Sequence, residues 1–103
     1  MEVKLEKQPG AVRLEKLAVE DWSLWEKEAS KFDWSYSSPE TCYIQEGEVT
    51  VHLPEGASVT ARAGDLVQFP AGLVCTWEIK SDLSKVFTFD EVELNADESI
   101  EID

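Results

Sequence analysis

Histidine is nearly absent from this chain: His52 is the only one in 103 residues. There are two cysteines and nine basic residues against 22 acidic ones. Each scarcity closes off a class of function. A formal charge of −13 repels nucleic-acid phosphates and anionic membrane faces, so neither is expected as a partner. No apolar run approaches the roughly 20 residues that cross a bilayer. The opening MEVKLEKQPG has no apolar core of the kind a secretory signal carries, and a cytoplasmic setting is expected. In a reducing compartment two cysteines are not expected to form a structural disulfide. The interval from Cys42 to Cys75 matches no paired zinc motif. His52, between Val51 and Leu53, is read as a surface or half-buried strand residue with no motif around it. Repeats, low-complexity segments and linkers are all missing, which leaves one domain over residues 1–103.

What is present is a core. Hydrophobic residues make up 43% of the chain and ten residues are aromatic, enough to fold rather than stay disordered. VKLEK alternates as a strand, and residues 11–22 can hold a short helical turn. WSLWEKEASKF is ambiguous: Trp22, Trp25, Ala29 and Phe32 recur at helical spacing, Leu24 breaks that face, and propensity alone favours a helix. From Phe32 onward the signal is β. Short runs rich in Val, Thr, Tyr, Phe and Trp are punctuated by Gly47, Pro54–Gly56, Gly64 and Pro70–Gly72. That rhythm predicts an all-β sandwich or barrel. GDLVQFPAGLVCTWEI reads as strand, tight turn, strand. KVFTFDEVEL reads as a last strand, and residues 91–103 as a solvated acidic tail or, alternatively, an interaction tail for a basic partner.

Two stretches carry a family likeness. In WSYSSPETCYIQEGEVTV, Glu40 precedes Gly47 by seven residues. In GDLVQFPAG, Gly64 is followed by Pro70 and Gly72. Together they resemble the two motifs of the cupin superfamily over about residues 25–90. The likeness is nearest to small single-domain cupins related to ureidoglycine aminohydrolase and to ethanolamine-utilisation cupin proteins. It implies an antiparallel β-barrel or jelly roll, a homodimer as in many cupins, and two strands in place of the helix suggested over WEKEASKFDWSY. Metal-binding cupins typically use three histidines and a glutamate. Here Glu40 falls on the glutamate, while Trp34, Tyr36 and Cys75 stand where the histidines would be.

By that likeness and by strand parity, Trp34, Tyr36, Glu40, Cys75 and Trp77 are expected to line one open-ended cavity. Two ligand-grade residues, Glu40 and Cys75, are fewer than a zinc site needs, so the expected state is metal-free, with a divalent metal such as zinc on those two as the alternative. Cys75 is a wall residue, a ligand or a nucleophile. No base or cation is placed beside it, and Glu40 would raise a thiol's pKa. A carboxylate in an aromatic pocket is costly to keep charged, which suits Glu40 to acid/base work or to anchoring an amine or amide. A structural hydrogen bond is the plainer alternative. Trp34, Tyr36 and Trp77 are a box for a flat or cationic ligand, or simply core. Cys42 is expected in the core, and Trp22 and Trp25 in the core or a dimer contact. The leading functional expectation is a metal-independent small-molecule binding protein. Its rivals are an enzyme acting on a small ureido, amide or amine compound through Glu40, and a structural dimeric module.

Overall fold

Two long strands organise the molecule. The computed structural model describes residues 1–103 and contains eight strands. They are β1 (Glu2–Glu6), β2 (Ser23–Lys27), β3 (Ser30–Ser35), β4 (Glu40–His52), β5 (Ser58–Arg62), β6 (Leu66–Phe69), β7 (Val74–Thr88) and β8 (Glu98–Glu101). All pairings are antiparallel. β4 and β7 pair along most of their length, and both pass from one sheet into the other. Their outer halves, around Val49–Ile79 and Val51–Trp77, are flanked by β3 and β5. Their inner halves, around Cys42–Phe87 and Ile44–Lys85, are flanked by β2 on one side and by β6, β1 and β8 on the other. The result is an all-β cupin-type sandwich. Its hydrogen bonding does not close into a barrel, because β2, β3, β5 and β8 remain edges.

The bend between the halves is built into the backbone. Register shifts fall between Ile44 and Val49, where extra residues strengthen the local twist. Gly47 sits in this corner at φ +90°, and a Cβ there would run into the carbonyl oxygens of Ser81 and Asp82 on the facing strand. Only glycine meets both demands, the left-handed backbone and the close approach.

Between the sheets lies one apolar core that includes Val3, Leu5, Ile44, Val49, Val51, Phe69, Leu73 and Trp77. The alternating buried positions of β5 and the outer half of β4 supply one side of it. β6 is buried at all four positions, and the reason lies outside the sandwich. Residues 90–95 cross its outer face, held by hydrogen bonds from Thr41 Oγ1 to the Asp90 carbonyl (2.9 Å) and from Gln68 Nε2 to the Val92 carbonyl (2.7 Å). The Arg13 guanidinium, on the short helix α1 (Ala11–Lys16), binds Glu6 through two nitrogens and also donates to the Glu93 carbonyl.

The sequence expectations hold for β1, the helical turn and the β6–turn–β7 unit, and the resemblance correctly replaces a helix over residues 22–32 with β2 and β3. Two expectations are corrected. KVFTF is the end of β7 and not a separate strand. The acidic segment 91–103 is no free tail: it packs across β6 and forms β8, with Ile102 buried. Alternating Ile100 and Ile102 dock on the core despite the acidic residues around them.

Gly47→Ala is expected to lower unfolding free energy by about 2 kcal/mol or more, since it combines left-handed strain with a backbone clash. Gly10→Ala, at φ −76° with open space around its Cα, is expected to be near neutral. Urea denaturation of the two variants measures both.

Candidate functional site

The bend that joins the sheets also opens a cavity of about 330 Å³ between them. β3 and the outer half of β7 contribute Phe32, Trp34 and Trp77. β2, β4 and the inner half of β7 contribute Trp25, Glu40, Lys85 and Phe87. Tyr36 and three serines, 35, 37 and 38, come from the end of β3 and the segment that follows it. The Pro70–Gly72 turn fixes Tyr36, because the Gly72 N–H donates to the Tyr36 carbonyl and the Tyr36 N–H to the Leu73 carbonyl. Its ring stacks on Phe69 with centroids 5.0 Å apart.

Lys85 is the centre of the site. Its side chain is 6% exposed and that of Glu40 is 8% exposed. Nζ lies 3.4 Å from each Glu40 carboxylate oxygen and 3.5 Å from Cys42 Sγ. Three aromatic rings surround it, with centroids at 4.5 Å (Trp77), 4.8 Å (Trp25) and 5.4 Å (Phe87). Desolvating an ammonium costs several kcal/mol. The carboxylate and the ring quadrupoles, worth up to about 2 kcal/mol each when desolvated, offset that cost.

The sequence-predicted residues sort as follows. Glu40, Trp34, Tyr36 and Trp77 come together around the cavity, with Trp34 47% exposed at its rim. Cys75 is buried in the core, is not part of the cavity lining, and donates its thiol to the Trp34 carbonyl at 3.6 Å. Cys42 is a core residue as expected. His52 is half-exposed and pairs with Glu78 at 2.7 Å on the outer half of β4. Trp25, read as core or dimer contact, is a cavity wall.

Lys85 was missed. Its signal was present, since Leu83, Lys85 and Phe87 share one strand parity, which puts a lysine on an otherwise apolar face. Glu40 is consequently not an isolated carboxylate but half of a buried ion pair.

Burial sets the electrostatics. It pushes the Cys42 thiol up to about 12, with Lys85 opposing and Glu40 adding to the rise. It pushes Cys75 up to about 11, the Trp77 indole opposing and Glu40 and Asp33 adding. The Tyr36 phenol is driven far above its ordinary value by burial first, and then by the neighbouring Cys42, Glu40 and Cys75. Both thiols and the phenol are therefore neutral near pH 7. The Tyr36 hydroxyl and the Trp77 Nε1–H are fully buried; neither makes a hydrogen bond of good geometry, and the indole N–H lies near the Tyr36 oxygen and the Cys75 sulfur, whose charged forms it favours.

These donors do not suit a divalent metal. Glu40 is engaged by an ammonium, and Cys75 is a neutral thiol turned to a backbone carbonyl. Nowhere do three His, Cys, Asp or Glu side chains gather. Lys85 supplies the cation that faces Glu40.

A jelly roll with its polar centre between two bent sheets defines a cupin. The family model for the EutQ-like cupin domain matches residues 14–87, and the chain belongs to that family. Among solved structures, a DUF861 family protein from Thermotoga maritima is 44% identical, with a TM-score of 0.81, over 85% of this chain and 99% of that one. A putative ethanolamine utilization protein Q from Salmonella typhimurium is 23% identical (TM-score 0.57) over 62% of this chain and 51% of that one. The EutQ protein of Clostridium difficile is 22% identical (TM-score 0.58) over 62% and 50%. This chain therefore spans about half the length of the EutQ proteins, and those two likenesses show the fold alone. No curated protein matches.

Two predictions follow from the geometry. Lys85→Met strands the Glu40 charge and is expected to cost about 3–5 kcal/mol, most of it recovered in Glu40→Gln/Lys85→Met, which removes both charges. Denaturant melts of the three proteins decide this. Raised thiol pKa values leave little thiolate until the pH nears 11. Iodoacetamide at pH 8 is therefore expected to alkylate native Cys75 about 100-fold and native Cys42 about 1000-fold more slowly than a free cysteine, and restricted access slows them further. Mass spectrometry of a labelling time course, with a urea-unfolded control, reads the rates.

Proposed function

We propose that this cupin domain is a metal-independent small-molecule binding protein that takes a flat, largely apolar ligand between its sheets. The observation that carries this reading is the cavity itself, walled by Trp25, Phe32, Trp34, Trp77 and Phe87 with the Glu40–Lys85 pair among them. A cleft of this size, apolar apart from a few polar groups, is the usual form of a ligand site.

The charge narrows the ligand. The chain carries −13 overall, and the Glu40–Lys85 pair cancels itself within the cavity. An uncharged or cationic ligand therefore meets no repulsion, whereas an anion does. A cytoplasmic setting and a homodimer belong to the same proposal.

Native mass spectrometry of untagged protein tests retained ligand, metal and oligomer together. A panel of single-ring amides and aldehydes is expected to quench tryptophan emission at one site per chain. Trp34→Ala, which removes the half-exposed rim, is expected to weaken binding about tenfold. A near-stoichiometric metal lost in Glu40→Gln, or a panel that leaves emission unchanged, would sink the reading.

A further inference from the structure

Of the chain's seven lysines only Lys85 is buried, and it lines the ligand cavity. A structural cation could be held more cheaply at the surface, where five of the six others are exposed. Instead the amine stands at the cavity with a carboxylate 3.4 Å away. An ammonium held out of water beside a carboxylate becomes a nucleophile once that carboxylate takes its proton.

We propose that Lys85 forms an imine with a small, uncharged, flat aldehyde or ketone, and that Glu40 moves the protons. This rests on the cavity reading above and names its ligand class.

The steps balance. Glu40 takes one proton from the Lys85 ammonium, leaving a neutral amine beside a neutral carboxylic acid. The nitrogen lone pair attacks the carbonyl carbon. The C–N bond forms, and the C=O π pair moves to oxygen, which receives the proton from Glu40. Glu40 then takes a proton from the nitrogen and returns it to the hydroxyl. The C–O bond breaks, water leaves, and the nitrogen lone pair completes the iminium. No oxidant or reductant is consumed.

The product suits the site as well as the reactant does. The iminium carries the single positive charge that the Glu40 carboxylate and the rings of Trp25, Trp77 and Phe87 already hold. The step therefore buries no new charge.

The experiment uses the full chain with benzaldehyde or propanal and sodium cyanoborohydride, which reduces an imine to a stable amine. Intact mass and peptide mapping then locate the adduct. The expected result is one adduct per chain at Lys85, formed about tenfold faster than at any exposed lysine. It should be absent from Glu40→Gln/Lys85→Met, whose fold is checked by circular dichroism. Adducts spread over Lys4, Lys7, Lys27 and the other exposed lysines, with Lys85 unmodified, overturn the proposal. Benzamide, which has the ring but does not form an imine, separates this failure from that of the cavity reading. If benzamide still quenches tryptophan emission while Lys85 stays unmodified, only the imine falls. If neither occurs, both fall.

Discussion

Everything in this molecule depends on β4 and β7 staying paired while they cross from one sheet to the other. No other strand takes part in both sheets. Their shared bend turns two flat ladders into a sandwich, and it is also why residues eight apart on one strand, Trp77 and Lys85, face each other across a space. A straight β7 would hold those two side chains about 26 Å apart at the usual rise per residue. In the bent strand Nζ lies 4.5 Å from the indole centroid. Gly47 is the local condition for this, since it lets the two backbones approach at the corner.

The buried charge pair follows from the same geometry. Taken alone, Glu40 and Lys85 are each a poor occupant of an aromatic interior. Paired, they leave neither charge stranded, and the rings stabilise the cation without adding hydrogen-bond requirements of their own. The neutral groups nearby are different. Tyr36 and Trp77 each keep a donor that makes no hydrogen bond of good geometry. A core selected for stability alone would favour apolar residues of similar volume in place of both the ion pair and these two donors. The ion pair belongs to the cavity lining, and this is the feature on which the proposed ligand site rests.

Most of the architecture was legible in the sequence because its punctuation is local. Gly64, Pro70 and Gly72 mark a turn by their own backbone needs, and each expected strand from Glu40 to Trp77 formed there. The helical spacing of Trp22, Trp25, Ala29 and Phe32 misled for a physical reason. Trp25 and Phe32 reach the same cavity from two different strands, each set by its own partner on β7: Lys85 for the first and Trp77 for the second. Spacing that mimics a helix here reflects two long-range pairings. The docking of the acidic segment was hidden in a similar way. Its composition suggests solvation, and only the alternation of Ile100 and Ile102 signals a strand whose partner, β1, lies at the other end of the chain.

Of the candidate site, the aromatic walls and Glu40 could be read from motif position, but Lys85 could not. Parsing KVFTF as a new strand made Lys85 a strand-opening residue, a place where a lysine is unremarkable. As the interior of a continuous β7, the same residue has Trp25 beside it in register and Glu40 on the neighbouring strand. The difference between a surface lysine and a buried one is thus a question of where one strand begins, which depends on a bend specified by a glycine nearly forty residues earlier. The position that the cupin likeness associates with metal chemistry is in this chain a carboxylate facing an ammonium that the protein carries itself. The charged groups that this sequence gathers at the cavity are that amine and that carboxylate.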